Sequence, residues 1–142
     1  MKYFSFIILL TTLVSCGTTG SIKLYDFNAP KYDVEKEILN VINKDSAHTV
    51  PRKWIEGTKL DYLERFYVYY NGNPEEMYEI SFSDSASWKY ASTSRLAIIS
   101  QFHYGNGWKY ERDLSSKEIE RITKRFEETI LYKMKYGYSK VD

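Results

Sequence analysis

Few side chains in this chain are equipped for chemistry. Cys16 is its one cysteine, and His48 and His103 are its two histidines. A single thiol permits neither an intramolecular disulfide nor a multi-cysteine metal site. A nucleophile also needs a base within reach. The sequence holds no Gly-x-Ser-x-Gly elbow, phosphate-binding loop, His-Glu-x-x-His pair or Asp-rich calcium loop. Glu75-Glu76 and Glu127-Glu128 are carboxylate doublets, but adjacent residues point in different directions. Solvated surface is the expectation for both, because paired acid–base work needs carboxylates that converge in a pocket. His48 falls in a polar stretch, and His103 falls with Gln101 on the non-core side of an expected strand. A structural or solvent-facing role is expected for both. No cofactor and no metal are expected.

The position of Cys16 gives it a different chemistry. Met1-Lys2-Tyr3 is a positively charged start, and Phe4 to Val14 is an apolar run broken by Ser5, Thr11 and Thr12. That run is too short for a spanning helix, which needs roughly 20 apolar residues, and it has the layout of a secretory signal. Leu13-Val14-Ser15-Cys16 follows directly. Through Gly17 the chain resembles bacterial lipoprotein precursors, whose lipobox runs Leu, a small or aliphatic residue, Ala/Gly/Ser, then Cys. The resemblance implies cleavage before Cys16, a thioether-linked diacylglycerol on its sulfur, and acylation of the new amino terminus by a palmitate-type chain. Several chains anchor stably, since each buried CH₂ contributes about 0.8 kcal/mol. Gly17 replaces the Asp that commonly retains such proteins at the inner membrane, so the expected location is the outer membrane, facing the periplasm. The expected organisation is a signal peptide over 1–15, a flexible tether over 16–24 and one domain over 25–142. Gly17-Thr18-Thr19-Gly20-Ser21 is small and polar, as a flexible tether requires.

Composition narrows the partners. Twenty Lys and Arg less Lys2 of the leader leave 19 cations, against 19 Asp and Glu. A balanced domain without a basic run is a poor nucleic-acid binder, and charge alone would not hold it on anionic lipid. The 14 tyrosines stand out. Each combines a large apolar ring with a polar tip, which suits strands and contact surfaces.

The elements that must position these groups can be read from periodicity. Val34, Ile38, Val41 and Ile42 form one apolar stripe over 33–44, with Asp33 as the expected cap. Residues 50–55 suggest an edge strand, since Pro51 excludes a central one. Residues 64–70 and 76–83 form a hairpin about Asn71-Gly72-Asn73-Pro74. The apolar pattern favours a register facing Val68 with Tyr78, Phe66 with Ile80 and Glu64 with Phe82. Residues 95–104 read as a central strand with Leu96, Ile98, Phe102 and Tyr104 on one face. A turn at Gly105-Asn106-Gly107 leads to a strand over 108–112. Ser115 and Glu118 form a capping box, with Leu114 and Ile119 as its hydrophobic staple. Ile119, Ile122, Phe126, Ile130 and Met134 continue the stripe, with Lys133 and Lys135 in its last turns and Gly137 as the stop. The fold class is therefore α+β: an antiparallel sheet of four to five strands with an N-terminal and a C-terminal helix packed on one face.

That register turns Arg65, Tyr67, Tyr69 and Met77 to the second sheet face, beside Ile99, Gln101 and His103. Aromatics with Arg and Met are typical of contact patches, so Arg65, Tyr67, Tyr69, Met77 and His103 are the candidate partner-binding residues. The alternative is that residues 46–62 or 84–93 cover this face. The leading functional expectation is a non-catalytic accessory lipoprotein that binds another envelope protein. Alternatives are a small-ligand or glycan binder, with Trp88, Tyr90, Trp108 and Tyr110 as stacking residues, and a hydrolase of unfamiliar type. Replacing Cys16 by Ser should move the protein from the membrane to the soluble fraction and abolish labelling by a fatty-acid probe. Unchanged fractionation and labelling would refute lipidation at this residue.

Overall fold

Residues 20–54, 65–82 and 91–141 are described in a computed structural model of the chain. Cys16, Glu64, Trp88 and Tyr90 lie outside them, and so do the expectations that rest on those residues. The strands are β1 (Lys23–Phe27), β2 (Phe66–Tyr70), β3 (Glu76–Phe82), β4 (Ser94–His103), β5 (Gly107–Tyr110) and β6 (Tyr138–Val141). They form one antiparallel sheet in the order β2-β3-β4-β1-β6. Helices α1 (Lys31–Lys44) and α2 (Ser116–Thr129) complete the α+β fold.

Two of these strands were not foreseen, so the described sheet has six strands rather than four to five. β1 starts inside the stretch expected to be tether. Lys23 pairs with Ile98, Ile22 is buried, and its N–H donates to the Ile98 carbonyl. Lys23 and Leu24 therefore belong to the sheet and Ile22 is tied to it, because a segment bonded to a central strand and burying an isoleucine is not a free spacer. β6 closes the far edge against β1. With four residues and an exposed middle pair it has no periodicity to read.

The β2–β3 hairpin has the expected register: Val68 faces Tyr78 and Phe66 faces Ile80. Val68, Tyr78, Ile80 and Phe82 are buried in the main core, with Phe66 packed against them. β4 is central, between β3 and β1, but it carries a bulge. Glu79 pairs with Ser100 and Ile80 with Ile98, so Ile99 is an extra residue. A one-residue insertion reverses which face every later side chain points to. Leu96 and Ile98 stay in the main core, whereas Phe102 joins a second cluster with Trp54, Tyr69 and Met77. The expectation of Leu96, Ile98, Phe102 and Tyr104 on one face is corrected accordingly. Ile99 is also where the neighbour of β4 changes. β1 pairs with residues 94–98, and β5 pairs with residues 100–103 on the same edge.

Residues 52–54 are helical, not an edge strand. The Trp54 N–H closes a turn onto the Pro51 carbonyl, and its indole is fully buried. α1 begins two residues earlier than expected, after Pro30, whose φ of −61° suits a helix start. Asp33 lies in its first turn and makes no cap bond. In α2 the capping box forms as expected: Ser115 Oγ accepts from the Glu118 N–H while the Glu118 carboxylate accepts from the Ser115 N–H. The helix stops at Thr129 rather than running past Met134. Ile130 and Leu131 are both buried. Consecutive residues on a helix diverge by about 100°, so the chain tightens into a 3-10 turn, Leu131–Lys133, to bury both.

Buried residues of α1 (Val34, Ile38, Val41) and of α2 (Ile122, Phe126) share one cluster with Tyr25, Phe27, Val68, Tyr78, Leu96 and Ile98. Phe126 lies against Tyr25, ring centroids 5.8 Å apart. Phe126→Ala should lower the unfolding free energy by about 3–5 kcal/mol in chemical denaturation. A loss below about 1 kcal/mol would show that this ring is not a core residue.

Candidate functional site

The two sheet faces carry different polar centres. On the face of the main core, β3 begins at Glu76, and the period of two that buries Tyr78, Ile80 and Phe82 also turns Glu76 inward. Its side chain is 0% exposed. Arg121 and Arg125, one turn apart on α2, reach down to it. Arg121 binds both carboxylate oxygens at 2.6 and 2.9 Å, and Arg125 Nη1 binds Oε1 at 2.6 Å. The Tyr78 hydroxyl and the Gln101 amide also donate to it. Arg125 further donates to the Pro74 carbonyl and lies 4.5 Å from the centre of the Tyr70 ring. One helix is thereby fixed to the hairpin turn, which contains a cis Asn73–Pro74 peptide.

Burial alone would raise the Glu76 pKa, but the bonds from Arg121, Tyr78, Gln101 and Arg125 outweigh it and hold the carboxyl below its usual range. The bulge makes this possible, because it turns Gln101 to the face of Tyr78 and Glu76. His103 follows Gln101 there, directly opposite Glu76, with its Nδ1 donating to the Tyr104 carbonyl at 3.1 Å. His103 is therefore not on the second face with Arg65 and Tyr67.

The two doublets expected to be solvated are each split. Glu76 is buried while Glu75 stays accessible, accepting from Tyr69 Oη and facing Lys53 Nζ at 3.5 Å. Glu127 is buried, accepting from Tyr25 Oη at 3.2 Å and from Lys140 Nζ at 2.9 Å. Strand or helix geometry sends adjacent residues apart, and here one of each pair goes inward. His48 is also buried. Its Nδ1 donates to the Tyr69 carbonyl at 2.8 Å, and its ring meets Tyr70 edge-on. That role is structural: it caps a carbonyl at the end of β2.

The second face has an aromatic floor and a polar middle. Trp54 lies over Tyr69 and Phe102, with ring centroids 5.3 and 5.2 Å away. Tyr69 and Met77 are consequently buried and cannot serve as the open contact residues expected of them. The segment around Trp54 covers this part of the face, which is the alternative the sequence left open. Burial and the bond to Glu75 push the Tyr69 phenol up to about 12, so it remains a donor. Farther along, Glu79 is buried, held by Arg65 Nη1 at 2.6 Å and by Ser100 Oγ at 2.6 Å. The half-buried rings of Tyr67 and Trp108 meet at 5.9 Å, from strands that lie on either side of the Glu79–Ser100 pair. The Arg65 side chain is 56% exposed although anchored at its tip. Tyr104, 55% exposed, lies 5.9 Å from the Trp54 ring, with Lys53 Nζ 5.3 Å from its own ring centre.

Of the five residues singled out from the sequence, the structure brings Arg65 and Tyr67 to an accessible strip and adds Trp108 to it. Tyr69 and Met77 go beneath Trp54, and His103 goes to the opposite face. The Glu76–Arg121–Arg125 cluster was missed. Its signal was present in the register, which puts Glu76 in phase with Tyr78 and Ile80, and in Arg121 and Arg125 flanking the stripe residues Ile122 and Phe126. Among the described residues, no group of three or more His, Cys, Asp and Glu is placed to hold a metal ion. No family model, no curated protein and no solved structure matches the chain.

Glu76→Gln leaves two guanidinium groups without their counter-charge, and breaking a buried pair this way typically costs about 3–5 kcal/mol. The sign with pH follows from the lowered pKa. The stabilisation is complete above the usual glutamate value of 4.5 and is lost as pH falls through the lower folded-state value. Denaturation curves should therefore show a wild-type advantage at neutral pH that shrinks in acid. A gap that stays constant into strong acid would refute a charged Glu76.

Proposed function

We propose that this protein is a lipid-anchored envelope protein, held by Cys16 in the outer membrane and facing the periplasm, whose single domain binds another envelope protein without catalysing a reaction. The anchoring half of the reading is supported by the signal layout and the Leu13-Val14-Ser15-Cys16 lipobox. The binding half is carried by one observation: the half-exposed Tyr67–Trp108 pair beside Arg65, whose guanidinium is fixed by the buried Glu79.

Tyr, Trp and Arg are the residue types that dominate binding energy at interfaces. An Arg already held in place loses less freedom when a partner arrives. We further read both helices as covering the same sheet face, since their buried residues share one cluster. The second face, covered around Trp54 only in part by described residues, is then the one with side chains left for a partner. The glycan-binding alternative draws on the same strip, because two aromatic rings beside a fixed guanidinium can also stack on and hydrogen-bond a sugar.

A photoreactive side chain in place of Ser81, half-buried and two residues on from Glu79 along β3, leaves Arg65 and its bond to Glu79 intact and distinguishes these readings in the anchored protein. Irradiation of cells should yield a discrete protein adduct that is absent from the same probe at the exposed Lys36 of α1 and is lost when Tyr67→Ala is added. Equal adducts at 81 and 36, or none at 81, would overturn the protein-partner reading. Retention on envelope glycan without a protein adduct would favour the sugar-binding alternative.

A further inference from the structure

The chain enters the domain at one corner of the sheet. β1 begins opposite Ile98 and β5 ends opposite Ser100, on either side of the bulged Ile99. Gly20 abuts the Glu111 carboxylate so closely that a side chain at position 20 would overlap it. Glu111 opens the short turn that follows β5. Between Cys16 and Gly20 there are four residue steps. An extended chain covers at most about 3.6 Å per residue, so Gly20 stays within roughly 14 Å of Cys16. The headgroup layer itself is about 6 Å deep on each side of the bilayer.

The side chains around this corner are of the kinds that settle at a lipid–water interface. On the second face, Tyr110 is half-buried, with the Arg112 guanidinium 5.9 Å from its ring centre, and the Arg112 side chain is 74% exposed. On the main-core side, a groove of about 500 Å³ runs between α2 and the β1–β6 edge, and its lining includes Lys23, Ile119, Glu120, Lys124, Glu127 and Lys140. Tyrosine rings sit at headgroup level. Long Lys and Arg stems lie along apolar surface while their charged ends reach polar groups.

We propose that this corner, with Tyr110, Arg112, Lys23, Lys124 and Lys140, is the membrane-facing surface of the domain and rests among phospholipid headgroups. The proposal rests on lipid anchoring at Cys16. The tether, not net charge, brings the surface there. Lys140 is engaged by buried Glu127 and Lys124 faces Glu128 at 3.8 Å. The chain beyond the leader carries balanced charge as well, so a released domain has no strong attraction to anionic lipid. The β2 edge, three strand spacings of about 4.8 Å from β1, then lies farther from the bilayer, and Arg65 just before β2 is held clear of the lipid.

The test uses the full lipidated protein, reconstituted in vesicles of phosphatidylethanolamine and phosphatidylglycerol, with a nitroxide attached at Arg112→Cys or, as control, at Lys36→Cys. Lys124→Cys reads the other side of the corner and serves if Arg112→Cys does not fold. The expected result is a several-fold lower collision rate with a water-soluble nickel chelate at 112 or 124 than at 36. Equal rates, in a protein that floats with the vesicles, would overturn the membrane-facing corner and leave anchoring intact. The unsubstituted protein separates the other failure: if it takes up nitroxide at Cys16 or does not float, anchoring itself is wrong and the corner loses its basis.

Discussion

One extra residue in β4 organises this domain. Ile99 has no partner of its own on β3, where Glu79 and Ile80 already face Ser100 and Ile98. Without it, Phe102 would follow Leu96 and Ile98 into the main core, and Gln101 would point away from Glu76. With it, a single strand serves two cores. Its first half contributes Leu96 and Ile98 to the main core, and its second half contributes Phe102 to the cluster around Trp54. The same residue marks where β1 gives way to β5 along the strand's other edge. Bulges commonly re-aim side chains and end a pairing in this way.

Three buried carboxylates tie the elements of this fold together. Glu76 is held by two arginines, Glu79 by Arg65 and Ser100, and Glu127 by Tyr25 and Lys140. Each joins elements far apart in the chain: α2 to β3, the start of β2 to β3 and β4, and α2 to β1 and β6. Buried ion pairs are weak sources of net stability because desolvation offsets much of the attraction. Their effect is on alternatives. A shifted register in β2–β3 would turn Glu76 and Glu79 to the wrong faces, away from their cations, and an uncompensated buried charge is costly.

The surfaces proposed for function are what this core leaves over. Trp54 takes Tyr69, Met77 and Phe102 out of play as contact residues, so the accessible part of the second face shifts towards Tyr67, Trp108 and Arg65. The corner where the chain enters lies at the β1 and β5 side of β4, and β2 lies on the other side. The two proposed surfaces therefore meet on β5, where Trp108 belongs to the partner strip and Tyr110 to the lipid-facing corner, while Arg65 stands on the β2 side of the sheet.

Local patterns were legible where a short stretch of chain fixes its own geometry. The capping box of α2 spans four residues, and the β2–β3 register follows from alternation on both sides of one turn. Each was readable because every residue that decides it lies close in sequence. The bulge at Ile99 was not readable, because an extra residue is defined only relative to the partner strand. With it went the faces assigned to Phe102, Gln101 and His103. β1 and β6 were missed because each is short and is stabilised by pairing with the other and, for β1, with β4 some 70 residues away. The burial of Glu76 had a trace in the alternation of β3, but its cations come from α2, 45 and 49 residues later. Whether Tyr69 and Met77 face solvent was decided by Trp54, which reaches them across the sheet surface. Sequence alone determined the elements whose hydrogen bonds and apolar stripes are local. Tertiary structure decided which face each side chain meets, because that depends on partners the chain brings together only on folding.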